Sequence, residues 1–223
     1  MNKSQLKAVH LADRVFNLIK IREGEKEKEI ADRIKNLLQK FGSRPAFRII
    51  VASGKRSAKP HGFATAKRIR RGELVVIDFG AVYNGYCSDI TRTFVVGKPT
   101  KRQGKVYRIV KEAQKRAIKA IRAGRACFEI DQEARKYIEK RGFGKYFIHS
   151  TGHRIGKKVH EAPKISKSNR NRLRKGMVIT IEPGIYINGW GGMRIEDMVL
   201  VTKKGYRILT RSYKEPRILF AGS

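Results

Sequence analysis

A long internal repeat constrains this chain more than any other feature. Residues 21–42, IREGEKEKEIADRIKNLLQKFG, align with 121–144, IRAGRACFEIDQEARKYIEKRGFG, so that Gly24 meets Gly124, Ile30 meets Ile130 and Gly42 meets Gly142, with Phe47 meeting Phe147 just beyond. Each unit reads as two helices around a glycine turn, ended by a second glycine. A second pair, RIRRGELVVID (68–78) and RLRKGMVITIE (172–182), leads from a basic turn and a glycine into a β-branched run that ends on a carboxylate. Asp78 and Glu182 thereby hold equivalent places, and SDI (88–90) against IED (195–197) sets Asp89 opposite Glu196. Several matches in the same order argue against chance resemblance between basic, Ile/Val-rich segments.

The predicted element order is helix 3–22, helix 26–41, strands near 47–53, 73–82 and 86–96, then helix 102–122, helix 129–141 and strands near 150–160, 177–187 and 193–202. Val15, Leu18, Ile30 and Ile34 recur at helical spacing, and ELVVIDFGAV and MVITIEPGIYI read as buried strands. The expected class is α+β: one domain over 1–223, made of two pseudo-symmetric halves, roughly 1–100 and 101–210. Each half holds two helices plus antiparallel strands. Halves this alike pack with their sheets joined, and the natural place for a site is between them.

Four carboxylates then need a reason. The chain has only 19 acidic residues, yet Asp78, Asp89, Glu182 and Glu196 sit in or beside its most apolar strand runs. An unpaired buried carboxylate costs several kcal/mol, about the margin by which a whole domain is stable. Four converging across a pseudo-twofold, with one imidazole, carry about four negative charges, which two divalent cations balance. Arg194 is near Glu196 in sequence, but one or two arginines cannot neutralise all four. Oxygen ligation with one nitrogen donor suits Mn²⁺, Fe²⁺ or Co²⁺ better than a thiolate zinc site. Such a metal pair activates water and polarises a carbonyl, which is the equipment of hydrolysis. No GxxxxGK[ST], GxSxG or paired CxxC motif competes with this reading.

Composition bears on partners more than on fold. With 52 Lys and Arg the formal net charge is +33, a field that attracts RNA, DNA, acidic membranes or acidic peptides without choosing among them. Cys87 and Cys127 are too few for a disulfide framework and lack metal-site spacing, so two buried, reduced thiols are expected. No apolar leader and no run of roughly 20 apolar residues is present, which predicts a cytoplasmic protein that does not span a membrane.

DFGAVYNGYCSDITRTF (78–94), HSTGHRIGKKVHEAP (149–163), EPGIY (182–186) and RIED (194–197) together resemble the Xaa-Pro aminopeptidase and prolidase branch of the dinuclear-metal peptidases of family M24, which have the pita-bread fold. The resemblance runs from the first helix pair to VLVT at 199–202. It implies five metal ligands, Asp78, Asp89, His153, Glu182 and Glu196, holding two divalent ions, manganese first and cobalt or iron as alternatives. Asp78 would chelate one ion, His153 and Glu182 the other, and Asp89 and Glu196 would bridge both. A metal-bridging hydroxide would be the nucleophile, and Glu182 would also carry the proton from water to the leaving amine. His61, His149 and His160 would handle the substrate, with Tyr186 and Arg194 holding carboxylates in place. The implied reaction is hydrolysis of the bond between an N-terminal residue and a following proline in small peptides.

The alternatives are methionine aminopeptidase activity, disfavoured by SDITRT and RIED, and a catalytically silent relative that binds RNA or ribosomes, disfavoured by five intact ligands. The resemblance also implies that the domain usually preceding the catalytic one is missing here, which leaves a dimer open. In HSTGHRIGKKVHEAP the family pattern does not account for Arg154, Lys157 and Lys158. On an alternating strand Lys157 and Lys158 face opposite ways, so these three residues are expected at a cationic substrate entrance.

Overall fold

The computed structural model describes residues 2–213. Two helices, α1 (Lys3–Leu18) and α2 (Glu27–Lys40), open the chain, and α3 (Lys101–Lys119) and α4 (Cys127–Lys140) open its second half. The apolar stripe of α2, Ile30, Ile34 and Leu38, is fully buried, as is the matching stripe of α4, Ile130, Ala134 and Ile138. Glu29 and Glu129 each accept the backbone N–H three residues back, of Lys26 and Ala126, at 2.9 Å, one arm of a capping box. Thr100 and Gln103 complete both arms at the start of α3.

The repeat is written into the backbone. Gly24 and Gly124 adopt φ of 83° and 84°, a region closed to most side chains. Their N–H groups donate to the carbonyls of Ile69 and Leu173, both at 2.8 Å. Arg68 and Arg172 return a guanidinium to the carbonyls of Gly24 and Gly124. Each helix pair is thus tied to the basic turn that precedes its central strand.

Those strands are β3 (Leu74–Phe79) and β9 (Val178–Ile181). In the first half β3 lies between β2 (Ile50–Ser53) and β6 (Ile90–Val95), antiparallel to both. In the second, β9 lies between β7 (Gly152–Arg154) and β12 (Asp197–Val201), and β8 (Glu161–Ile165) and β13 (Tyr206–Ile208) extend the sheet at its edges. Two short ribbons complete the fold: β1 (Arg44–Pro45), β4 (Ala81–Tyr83) and β5 (Tyr86–Cys87) in the first half, and β10 (Gly184–Ile187) with β11 (Gly191–Arg194) in the second. Each half packs its helices on its sheet around its own apolar core. Cys87 and Cys127 are free and buried. Among the described residues no helix is long and apolar enough to cross a membrane.

Several predicted elements are shorter than the sequence suggests, and the places where they stop matter. The helix predicted over 3–22 ends at Leu18, and the strand predicted over 150–160 ends at Arg154. The runs over 86–96, 177–187 and 193–202 each break once, at Ser88–Asp89, Glu182–Pro183 and Ile195–Glu196. Three of the four carboxylates therefore lie where a strand leaves its ladder. Pro183, which has no N–H, accounts for one break. At the Gly80 interruption between β3 and β4, an added Cβ would lie 1.7 Å from the carbonyl oxygen of Ser88, so only glycine lets the backbone of that neighbouring segment approach.

Candidate active site

The seam between the halves holds a cavity of about 390 Å³ lined by all four carboxylates, His61, His149, His153, His160 and Arg194. Asp78 comes from the end of β3, Asp89 from the bend before β6, Glu182 from the bend after β9, and Glu196 from the bend before β12. Glu196 crosses the seam: its N–H donates to the Thr91 carbonyl at 3.1 Å and its Oε2 accepts from the Thr91 hydroxyl at 2.7 Å. Thr93 bonds the backbone of Arg194 in both directions, at 2.8 and 3.0 Å.

Asp89, His153 and Glu196 each place one ligand atom within 4.8 Å of the others. His153 Nδ1 donates to the Arg154 carbonyl at 3.1 Å, so Nε2 is the nitrogen that faces the carboxylates, 3.3 Å from Glu182 and 3.7 Å from Asp89. Arg194 donates to Asp78 at 2.7 Å and its Nε lies 4.0 Å from Glu182. One guanidinium, in contact with Asp78 and near Glu182, faces four carboxylates, and the shortfall shows in the proton affinities of the three besides Glu182. Burial, then the charges of Glu196, Asp78 and Glu182, hold Asp89 well above the usual carboxylate range. Burial and the charges of Glu182 and Asp78 do the same for Glu196. Burial also raises Asp78, against the pull of Arg194. Glu182 goes the other way, down to about 2: burial would raise it, but the hydrogen bond and charge of His153, with His149 and Arg194, prevail.

Asp78 Oδ1, Asp89 Oδ1 and Glu196 Oε1 are buried and accept no hydrogen bond from the described residues. Buried polar atoms are rarely left so. The three carboxylates that carry these oxygens line one cavity with His153, a donor set that fits divalent cations by charge and by type.

A directional chain runs alongside. Arg194 Nη1 donates to the Tyr186 hydroxyl at 2.7 Å, which donates to His149 Nε2 at 2.9 Å, while His149 Nδ1 meets the Ser150 carbonyl at 2.8 Å. Burial, joined by the charge of Arg194, lowers the pKa of His149, which suits a neutral acceptor. Burial and the neighbouring His153 likewise lower that of His160, whose ring centre lies 4.4 Å from that of His153.

A match to the model of metallopeptidase family M24 spans residues 3–203. The chain belongs to this family. It is 51% identical over 212 residues to the Xaa-Pro dipeptidase of Pyrococcus furiosus, a match that covers 94% of this chain and 61% of that protein. Among solved structures it is similar to a prolidase from Pyrococcus furiosus, with TM-score 0.93 and 50% identity over 95% of this chain and 64% of the other. The Xaa-Pro dipeptidase of Bacillus anthracis gives 0.94 and 47% over 96% and 61%. The chain thus spans about three fifths of the length of these relatives. Its fold is the pita-bread fold of family M24.

Arg154, Lys157 and Lys158 are not brought to the cavity. Because β7 ends at Arg154, no alternating strand carries the two lysines, and all three residues are exposed outside the cavity lining. Lys164 and Arg48 are the lysine and arginine that join Arg194 in the lining. Lys164 is the β8 partner of His153, and the Arg48 guanidinium lies over Phe63 at 4.1 Å.

Sequence reasoning also missed the residues that aim the cavity. Gln114, on the buried face of α3, donates to the carbonyls of Ile181 and Ile195, both at 3.1 Å, which directly precede Glu182 and Glu196. Asp131 accepts from Thr151 at 2.7 Å and from Arg135, whose guanidinium reaches the carbonyls of Phe147 and His149. The available signal was a polar residue inside an apolar helical stripe. Gln114→Leu leaves two buried carbonyls without this donor and is expected to cost about 1–3 kcal/mol. Urea unfolding measures the loss, and an unchanged midpoint would contradict the role.

Proposed function

We propose that the chain is the catalytic domain of a dinuclear metallopeptidase that cleaves the bond between an N-terminal residue and a following proline. The observation that carries the reading is the set of buried oxygens on Asp78, Asp89 and Glu196 that accept no hydrogen bond from the described residues, with Asp89 and Glu196 clustered around His153. Asp78, Asp89, His153, Glu182 and Glu196 would hold two divalent ions, with Mn²⁺ favoured and Co²⁺ or Fe²⁺ compatible with the same donors. When bound, the ions supply Lewis-acid polarisation of the scissile carbonyl and a lowered pKa for water.

The chain's own residues do the rest. Glu182 takes a proton from the attacking water and delivers it to the prolyl nitrogen as the C–N bond breaks. His61 and His160 line the cavity and donate to the peptide beside that bond. Arg194 and Tyr186 keep Asp78 and His149 oriented. A prolyl nitrogen lacks an N–H, so recognition falls to shape. Phe47, Ile50, Phe63 and Val159 give the cavity an apolar wall that suits a pyrrolidine ring. Lys164 and Arg48 replace the expected entrance cations as partners for the substrate's carboxylate.

The test is a panel of Xaa-Pro, Xaa-Pro-Xaa and Met-Ala-Xaa peptides with Mn²⁺ or Co²⁺. Release of the first amino acid from proline peptides alone is expected. Equal release from Met-Ala-Xaa would favour the methionine aminopeptidase reading, and no release at all would favour a silent relative. Lys164→Met is expected to raise KM for Ala-Pro roughly tenfold and to leave Ala-Pro-amide unchanged. An equal change for both peptides would remove Lys164 from carboxylate recognition.

A further inference from the structure

At the end of the second half three turns are laced together by backbone hydrogen bonds. Residues 120–126 join 166–177 through Gly124 N–H to Leu173 at 2.8 Å and Leu173 N–H to Arg125 at 2.9 Å. Residues 202–205 join both, through Ala123 N–H to Thr202 at 3.1 Å and, next to that turn, Gly176 N–H to Val201 at 2.9 Å. The longest turn contributes Lys167, Arg170, Arg172, Arg174 and Lys175, all exposed. Arg122 and Arg125 come from the first turn, and Lys203 and Lys204 from the last. None of the three segments contains an acidic residue. Glu129 of α4 pairs with Arg125 at 3.5 Å.

The repeat supplies an internal control. The equivalent turns of the first half, 20–26, 62–73 and 97–100, are also basic but include Glu23, Glu25 and Glu73. There Glu25 pairs with Arg33, Glu73 with Lys67 at 2.6 Å, and Glu23 accepts the Arg71 N–H at 3.3 Å. The same architecture is therefore interleaved with acids at one end and carries none at the other. A general surplus of Lys and Arg does not produce that asymmetry.

We propose that the acid-free turns of the second half bind the phosphodiester backbone of single-stranded nucleic acid. Arginine forks match phosphate oxygens in pairs, and Ser168, Asn169 and Asn171 interleave the cations with neutral hydrogen-bonding groups. Tyr206, exposed just beyond Lys203 and Lys204, offers a ring on which a base stacks. In the two larger turns Ile121 and Leu173 are buried and Met177 is partly buried against the core, which leaves no fully exposed large apolar side chain there to enter a lipid layer. The surface continues into a cavity of about 410 Å³ where Arg154 joins Arg174 and Lys175, along with Gln5 and Tyr86. Arg154, unexplained by the peptidase resemblance, thus lines the margin of this surface, where it pairs with Glu161 at 3.3 Å. The inference does not rest on the peptidase reading.

The experiment measures binding of a labelled 20-nucleotide RNA, and of DNA of the same sequence, to the full chain by fluorescence anisotropy from 50 to 300 mM KCl. One variant carries Arg170→Gln, Arg174→Gln, Lys203→Gln and Lys204→Gln. A second, with the same change in charge, carries Lys20→Gln, Arg70→Gln, Arg71→Gln and Lys98→Gln. The first is expected to lose more than tenfold in affinity at 100 mM KCl, and its plot of log K against log salt to flatten by roughly 3. The second should stay within threefold of the parent. Binding of either nucleic acid with this asymmetry supports the surface, and the two probes show which is preferred. Equal losses in both variants, no binding by the parent, or tighter binding to phosphatidylserine vesicles would overturn it. Should the fourfold variant fail to fold, Lys203→Gln/Lys204→Gln on the exposed hairpin carries the test at about half the slope change.

Discussion

Asp89→Asn is expected to lower Xaa-Pro cleavage by roughly a hundredfold or more and to change sign as a stability mutation depending on metal. Asp89 is buried with an oxygen that accepts nothing from the described residues, and burial with the charges of Glu196, Asp78 and Glu182 raises its pKa well above the usual range. A carboxyl whose pKa is higher in the folded than in the unfolded chain contributes stability below its unfolded pKa, near 3.9. It loses that contribution as pH rises through the folded value. In chelator at neutral pH the charge therefore destabilises the native state, and its removal should raise Tm. In saturating Mn²⁺ the order should reverse, because a ligand held at about a hundred times its Kd stabilises the parent by about 2.7 kcal/mol and the variant by less. Thermal unfolding of both proteins with EDTA and with Mn²⁺ gives the four values. A variant less stable than the parent in both conditions would make Asp89 a structural residue and sink the ligand assignment.

The parts of this fold that were legible in the sequence are those where local chemistry and the repeat agree. Gly24 and Gly124 announce the same turn because both need positive φ, and Ile30, Ile34 and Leu38 mark a buried face that recurs at Ile130, Ala134 and Ile138. The carboxylates stood out because acids are scarce in this chain and these lie in apolar runs. What could not be read is what happens at those positions. Pro183 signals the break at Glu182 locally, but a continuous apolar pattern does not reveal the breaks at Asp89 and Glu196, whose backbone N–H groups turn to Met198 and Thr91, far away in sequence. Gln114 illustrates this, holding Ile181 and Ile195 from 67 and 81 residues away. The entrance lysines show the same limit: an alternation rule applied to 150–160 presumes a strand, and β7 ends at Arg154.

Arg92→Met should be the most destabilising single change outside the carboxylate cluster. Arg92 is 1% exposed and spends its whole guanidinium on one task. It pairs with buried Asp197 at 2.9 Å, donates to the carbonyls of Thr91 at 2.9 Å and of Glu196, and reaches Ser212 and Tyr213 at 3.0 Å each. The methionine approximates its length and removes every Arg92 donor, so buried Asp197 loses the Arg92 cation and keeps its hydrogen bond from Thr210. Breaking a buried pair from one side costs about 3–5 kcal/mol. At 2–4 °C per kcal/mol for a chain of this size, Tm should fall by about 6–20 °C. Glu196 hangs from the same backbone, so kcat on Xaa-Pro peptides should drop even where the protein remains folded. The double variant Arg92→Met/Asp197→Leu separates the two effects. It removes both charges, and should recover part of the lost Tm because the buried carboxylate is removed together with its Arg92 cation, yet it should not recover kcat, because the Glu196 carbonyl still lacks its Arg92 donor. Recovery of both would mean that Arg92 acts only by neutralising Asp197, and that Glu196 is positioned by Thr91 and Gln114 without it.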